Sequence, residues 1–147
     1  MSQLSFICFC VEHYADHVHR PSNEVYQLFK REGLLDLLRS DYEDLHGMGL
    51  EYMMQFCDEY LNGQSACEVY LPDGHATVRA MILPDIIHLL MKNYGWTEEE
   101  ALNRFYLSAT GASFADDDTG LYGQSALYVS GLFAEEAKSI NASPVLS

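Results

Sequence analysis

The sequence predicts a mainly α-helical protein, built from two pseudo-repeated small helical bundles that pack together with a β-hairpin between them. Three observations support this prediction. The chain repeats itself at an offset of 76 residues, and both copies place apolar residues three and four positions apart. A short segment between the copies instead alternates apolar and polar residues.

The repeat aligns residues 21–60 with residues 97–136 without a gap, and seven of the 40 pairs are identical. Several other pairs keep their apolar character. The identical pairs are Glu24/Glu100, Phe29/Phe105, Asp41/Asp117, Leu45/Leu121, Gly47/Gly123, Tyr52/Tyr128 and Glu59/Glu135. The middle pairs predict a shared helix–turn–helix corner, in which glycine permits a positive φ and leucine and tyrosine fill the space beneath the turn.

Apolar spacing and helix-ending residues define the expected elements. Gly33, the Asn62-Gly63 pair and Gly95 are placed to end helices, and Thr97 with Glu100 forms a capping box that opens one. Residues 108–120 of the second copy are rich in small residues and aspartate, so a short or partly looped helix is expected there. The predicted helices span residues 4–18, 21–31, 34–45, 50–61, 85–94, 97–107 and 124–138.

The segment between the copies predicts the hairpin. Residues 67–71 and 76–82 alternate and contain β-branched or aromatic side chains, and Pro72, Asp73 and Gly74 between them favour a turn. The predicted organisation is therefore a first helical copy over residues 1–63, a hairpin connector over 64–84, a divergent second copy over 85–138 and a loose tail over 139–147.

Acidity is the strongest compositional signal. The chain has 22 acidic against 8 basic residues, a formal net charge of −14, and each half carries the same excess. Such a surface repels nucleic acid and anionic lipid and attracts basic proteins. A basic protein partner is therefore expected, with no direct nucleic-acid or membrane binding. Self-association and a purely solubilising role for the acids both stay open.

The sequence shows no evident membrane-spanning segment or secretory signal. No run approaches the roughly 20 apolar residues that span a bilayer, and the first residues do not resemble a secretory signal. A cytoplasmic protein is expected. Its cysteines, Cys8, Cys10, Cys57 and Cys67, lack metal-binding spacing and are expected to be reduced thiols, mostly within the core.

The first copy carries motifs that resemble a known bacterial family. They are EVYQLF at 24–29, GLLDLL at 33–38, YEDLHG at 42–47, EYM at 51–53 and DEYL at 58–61. Over residues 4–61 the chain resembles a family of small helical domains, domain-of-unknown-function family number 3791. The most specific elements are Leu45 with His46, and Tyr52 after them. The second copy looks like a divergent relative, with Tyr122 in place of His46.

The resemblance implies a partner for the protein but no reaction. Such domains are often encoded beside ADP-ribosyltransferase-like proteins, which implies a partner or antitoxin role. No catalytic residue is established for the family, so the resemblance assigns none to this chain.

Two clusters of metal-ligating residue types occur in the sequence. His13, His17 and His19 lie near the end of a predicted helix, but the sequence offers no further ligand cluster to complete a zinc site. They are expected to face solvent. The Asp116 to Asp118 run lacks the ligand spacing of a calcium loop and is expected to be a capping or solvated loop. No metal and no cofactor are predicted.

The leading hypothesis is a non-enzymatic, acidic protein-binding module, an inhibitor or antitoxin-like partner of a basic protein such as an ADP-ribosyltransferase-like toxin. A second is a nucleic-acid-mimicking inhibitor of a nucleic-acid-binding enzyme, of the phage or anti-defence type. A third is an enzyme that uses His46 as a base. No catalytic residue is predicted, and the candidate partner-binding residues are Asp41, Tyr42, Asp44, His46, Asp116, Asp117, Asp118 and Tyr122.

Overall fold

The computed structural model describes residues 1–63, 70–72 and 74–141, and the regular structure among them is entirely helical. The prediction of a mainly α protein is therefore confirmed. Two 3-10 turns, Asp117–Thr119 and Leu121–Gly123, join the last two helices. The helices are α1 (Gln3–Val18), α2 (Ser22–Arg31), α3 (Leu34–Ser40), α4 (Tyr42–Leu45), α5 (Leu50–Asn62), α6 (Gly74–Tyr94), α7 (Glu98–Leu107), α8 (Ala109–Ala115) and α9 (Ala126–Asn141).

The predicted β-hairpin is wrong. Its second strand, residues 76–82, lies in α6, and Tyr70 and Leu71 of the first strand are not in a strand. Residues 67–69 and Asp73 fall outside the described part of the chain. This segment is helical because burial of one helix face outweighs the local β propensity. The buried residues recur at helical spacing and are Ala76, Arg79, Ala80 and Leu83. The helix runs through Pro84, although the sequence placed its start at Asp85.

The repeat itself extends further than residues 21–60. Shifting the bounds of α2 by 76 positions gives those of α7, and α5 and α9 begin 76 positions apart. The ends of α1 and α6 keep the same offset, so these two helices are also equivalent. In each copy the middle segment is broken: α3 stops at Ser40 before α4, and α8 is followed by the two 3-10 turns.

The core is one continuous cluster to which both copies contribute. The equivalent helices α1 and α6 make the most extensive helix–helix contact in the described structure. Around them pack the apolar faces of the other helices, including Val25, Phe29, Leu102 and Phe105, all fully buried. Cys8, Cys10 and Cys57 are buried and free, as expected, whereas Cys67 lies outside the described residues.

The shared corner differs from its prediction in two respects. Leu45 and Leu121 are buried as expected, but Tyr52 and Tyr128 are 46% and 52% exposed and do not fill the space beneath the turn. Of the two corner glycines neither has a positive φ; in the second copy Gly120 adopts it, at 68°. The tyrosine that the repeat preserves is therefore a surface residue in both copies.

The length and apolar character of the helices in the described part of the chain show whether any of them could span a membrane. None of them is both long enough and apolar enough to cross a bilayer.

A close helix–helix approach depends on Gly111 in α8. A Cβ atom at this position would lie 1.9 Å from the backbone oxygen of Phe105 in α7. We expect Gly111→Ala to lower the free energy of unfolding by about 3 kcal/mol or more, because the backbone must move to relieve the overlap. Urea denaturation measures this change.

Gly47→Ala is the matched control for this substitution, since a Cβ at Gly47 would meet nothing within 4 Å. It should change the unfolding free energy by less than about 1 kcal/mol. Equal losses for the two variants would contradict the predicted overlap at Gly111.

Candidate functional site

The sequence-predicted binding residues of the first copy lie at the corner between α4 and α5. This corner, residues 41–52, is here called the acidic corner. Leu45 anchors it in the core, while Asp41, Glu43, Asp44 and Glu51 point their carboxylates to solvent. None of these four side chains takes part in an ion pair or hydrogen bond found among the described residues. Their charge is therefore not neutralised within the described part of the protein.

Exposed apolar side chains adjoin these carboxylates. Met48 in the turn is 44% exposed, and Tyr52 stacks on Phe56 with ring centroids 6.4 Å apart. Large aromatic side chains at the surface are the usual anchors of protein–protein interfaces. The acidic corner therefore combines free negative charge with an aromatic contact residue.

Tyr42 and His46 hold the corner in place. Their rings stack with centroids 4.4 Å apart, and Nδ1 of His46 lies 2.7 Å from the backbone oxygen of Tyr42. The Tyr42 hydroxyl donates to the Met1 carbonyl oxygen, and the Tyr42 ring meets Phe6 of α1 edge-on at 5.7 Å. Tyr42 thus fastens the corner to the first helix, and His46 packs on Tyr42.

The second predicted cluster, Asp116 to Asp118, has a different role. Asp117 accepts a hydrogen bond from Nη1 of Arg79, and its other carboxylate oxygen lies 3.3 Å from Nδ1 of His75. Asp116 accepts from the Asp118 backbone at 2.9 Å, so it acts as a cap. No hydrogen bond, ion pair or ring contact among the described residues connects this cluster with the acidic corner.

Tyr122, the counterpart of His46, belongs to the same group of contacting side chains. Its hydroxyl lies 2.9 Å from Nε2 of His75, and the two rings are 4.3 Å apart. The guanidinium of Arg79 lies 5.8 Å from the centre of the Tyr122 ring. Asp117 and Tyr122 therefore contact the N-terminal part of α6, and their side chains are already engaged.

A buried charge network that the sequence analysis did not find lies behind Asp117. Glu12 of α1 is 0% exposed and accepts from Nε of Arg79 at 3.0 Å and from the Tyr106 hydroxyl at 2.5 Å. Burial raises the pKa of Glu12, although Tyr106 and Arg79 oppose this effect. Burial and the nearby Glu12 charge also raise the pKa of Tyr106. The network joins α1, α6, α7 and the first 3-10 turn.

A signal for this network is present in the sequence. Glu12 interrupts the apolar face of the first predicted helix, and Arg79 is the one basic residue between Arg39 and Lys92. A charged residue on a buried helical face requires a partner of opposite charge. Sequence alone does not show which helix brings that partner, and residues 76–82 were predicted to be a strand.

A pocket of about 800 Å³ opens beside the network. It lies where the end of α1 meets the start of α2, the N-terminal part of α6 and the first 3-10 turn. Acidic and basic groups both line it, so no single charge dominates. The charged or titratable residues that line it include Asp16, His17, Arg20, Arg79 and Asp117.

The three histidines near this pocket do not form a metal site. His13 is buried with Nδ1 3.2 Å from the Tyr70 hydroxyl, and burial lowers its pKa. His17 places Nε2 2.9 Å from Asp58, which also accepts from Tyr14 at 2.8 Å. The expectation that His13 and His17 face solvent is therefore wrong. Among the described residues no group of three metal-ligating side chains could hold an ion.

Comparison with known proteins agrees with the motifs of the first copy. Residues 5–63 match the model of a family described as protein of unknown function (DUF3791). The resemblance predicted from the motifs is thus confirmed for α1 to α5, and the rest of the chain lies outside the match. Neither the curated proteins nor the solved structures gave a match.

Arg79→Met tests the buried network. It leaves the Glu12 carboxyl without its cationic partner in the core. We expect a loss of about 3–5 kcal/mol of unfolding free energy, because an uncompensated buried charge is costly. Arg20→Met is the control, since Arg20 pairs with Glu24 at 3.7 Å on the surface. It should cost less than about 1 kcal/mol. Similar losses of unfolding free energy for the two variants in urea denaturation would contradict the claim that the buried network stabilises the fold.

The lowered pKa of Asp117 predicts that the free energy of unfolding depends on pH. Burial acts to raise its pKa, but hydrogen bonds and charges of Arg79 and His75 lower it below the ordinary value of 3.8. A lowered carboxyl pKa stabilises the fold at pH values above 3.8, and this contribution disappears as pH falls through the lowered pKa. The difference in unfolding free energy between the wild type and Asp117→Asn should therefore become smaller at acidic pH.

Urea denaturation between about pH 7 and about pH 3 measures this gap. Asp118→Asn is the control, because Asp118 is exposed and forms no ion pair found in the described part of the chain. A gap that stays constant for Asp117→Asn down to the lowest pH would contradict the assigned contacts.

Proposed function

We propose that this protein is a non-enzymatic binding module that recognises a basic protein through its acidic corner. The observation that carries the proposal is the set of four exposed carboxylates, Asp41, Glu43, Asp44 and Glu51, which no described cation neutralises. Around them the exposed residues Met48 and Tyr52 offer apolar contact. Carboxylates steer the encounter with a basic partner, and an aromatic anchor supplies buried area once the two proteins meet.

The contacts of Tyr42 and His46 support this function. Recognition is most favourable when the binding surface is already rigid before the partner arrives. The stacked pair and its contacts with Met1 and Phe6 hold the corner against α1. His46 therefore contributes as a positioning residue rather than as a base.

The same contacts give less support to the other two hypotheses. An enzyme based on His46 needs a substrate group within hydrogen-bond reach, and the imidazole is instead stacked on Tyr42. Mimicry of nucleic acid needs free carboxylates, and one of the candidate acids of the second copy, Asp117, is paired with Arg79. A basic ADP-ribosyltransferase-like toxin, for which the protein would act as an antitoxin or inhibitor in the cytoplasm, remains the partner that we propose.

A charge reversal at the corner tests the proposal. We expect the triple variant Asp41→Lys, Asp44→Lys and Glu51→Lys to weaken partner binding by at least about tenfold, because it removes the attraction and adds repulsion. The measurement is capture of partner proteins from the native host by the immobilised chain, quantified by mass spectrometry and followed by affinity measurement on the captured protein.

The control is a second triple variant with the same change of net charge, Asp85→Lys, Glu99→Lys and Glu135→Lys. These three acids are exposed and lie on α6, α7 and α9. If binding depends only on overall acidity, both variants lose the same affinity and the corner is refuted as the site. Retention of binding by the control alone supports the corner.

A further inference from the structure

The first turn of α2 is open, whereas the equivalent turn of α7 is closed. In the second copy the Thr97 side chain accepts a hydrogen bond from the Glu100 amide at 3.2 Å, and all three residues of the first turn are glutamates. In the first copy Pro21 takes the place of Thr97, and no side chain caps the helix. An uncapped helix start has free amide N–H groups and a partial positive charge. The start of α2 therefore has room for an acceptor from outside the helix.

This open turn lines the pocket of about 800 Å³ beside the buried network. The amides of its first two residues, Ser22 and Asn23, donate no hydrogen bond found among the described residues. Ser22 is only 2% exposed, and its Oγ has no hydrogen-bond partner there, although it lies near enough to Glu12 to lower the pKa of that carboxyl. A buried hydroxyl without a partner is costly, so a ligand that supplies one is favoured.

Arg79 adds a donor to the same pocket. Its Nε and Nη1 atoms bind Glu12 and Asp117, whereas Nη2 forms no hydrogen bond found in the described part of the chain. The side chain is 8% exposed and lines the pocket. Helix amides, a hydroxyl and a guanidinium nitrogen are together the groups that bind a carboxylate.

Carboxylates line the pocket as well, so a bare anion does not match it. Asp116 uses Oδ1 to cap the Asp118 amide at 2.9 Å, and its Oδ2 takes part in no hydrogen bond or ion pair found among the described residues. Asp16 lines the same pocket and accepts from the Tyr70 hydroxyl at 2.6 Å. These acids attract an ammonium group, while the net charge of −14 repels a free anion.

We propose that this pocket binds a small zwitterion of the class of free α-amino acids. The carboxylate of the ligand binds at the start of α2 and at Arg79, and its ammonium group binds Asp116. A zwitterion has no net charge, so the acidic protein does not repel it, and its two charged groups match the two kinds of group in the pocket. The volume of the pocket is in the range of small-molecule sites and leaves room for a side chain.

The turn between α1 and α2 has a strained backbone at the edge of this pocket. His19 lines the pocket with a φ of 58°, and it is the one residue other than glycine with a positive φ in the described ranges. The residue 76 positions later is Gly95, with a φ of 71°. Strained backbone of this kind is concentrated at ligand sites. The strain at His19 is therefore a further observation that supports a ligand in the pocket.

The site does not rest on the proposed function, because none of its residues belongs to the acidic corner. Loss of the zwitterion site leaves the corner able to bind a basic protein, and the reverse also holds. Either proposal can therefore fail without the other.

Isothermal titration calorimetry with each common L-α-amino acid, at up to about 10 mM, tests the site. We expect at least one to bind with a Kd on the order of 10 µM to 1 mM. Its N-acetyl and carboxamide derivatives, which each lack one charged group, should bind at least about tenfold more weakly. Absence of binding by every amino acid overturns the proposal. Acetate or phosphate that binds as tightly as the best amino acid also overturns it, in favour of a simple anion.

Two aspartates of the same turn provide a matched pair of variants. Asp116→Asn keeps an oxygen that caps Asp118 but removes the charge, so it should weaken amino-acid binding by at least about fivefold. Asp118 is exposed and is not among the residues that line the pocket, so Asp118→Asn should leave the affinity unchanged. Both variants change the net charge equally. Equal effects of the two overturn the placement of the ammonium group.

Ser22→Ala distinguishes a ligand contact from a structural one. It should weaken amino-acid binding by at least about threefold, while the thermal midpoint without ligand stays the same or rises, because the variant removes an unpaired buried hydroxyl. A lower midpoint with unchanged affinity assigns the hydroxyl to Glu12 and overturns its part in the site.

Two exposed alanines of α8 test the location of the site. Ala112 lines the pocket, whereas Ala109 is not among the lining residues. Ala112→Phe should fill the pocket and abolish detectable amino-acid binding, and Ala109→Phe should bind like the wild type. Thermal midpoints of both variants check that the fold is kept. Binding that survives Ala112→Phe overturns the assignment of the pocket.

Discussion

The buried pair of Glu12 and Arg79 constrains the rest of the structure. A carboxylate with no exposure to solvent is tolerated only if its charge and its lone pairs are satisfied. Arg79 supplies the charge and Tyr106 a second hydrogen bond, while Asp117 accepts from the same guanidinium. Four elements must meet at one point for this to happen. The pair therefore fixes α1, α6, α7 and the first 3-10 turn relative to one another.

The pair also explains why the two copies depend on each other. Residues 5–63 match a family model by themselves, yet in this chain Glu12 finds its partners in the second copy. The core likewise runs through both copies, with the equivalent helices α1 and α6 at its centre. The two copies therefore share one core, and Glu12 of the first copy depends on side chains of the second to satisfy its carboxylate.

The network divides the surface acids into two groups. Asp117 is partly exposed, but its carboxylate is paired with Arg79 and His75. The carboxylates of the acidic corner meet no described cation and project their field into solvent. The equivalent residues Asp41 and Asp117 are both exposed, but only Asp117 is paired with cationic side chains among the described residues. This division favours the first copy as the place of the proposed partner site.

The sequence by itself determined most of the helices and the repeat, because apolar spacing, capping residues and glycines act locally. The equivalence of α1 with residues 79–94 at the same offset of 76 residues emerges only from the structure. Only the tertiary structure decided that residues 76–82 are helical, that Tyr52 is exposed and that Glu12, Arg79 and Asp117 meet. Each of these outcomes depends on which surfaces the helices bury against one another. Contacts such as that of Glu12 with Tyr106 join residues 94 positions apart, and no local pattern specifies them.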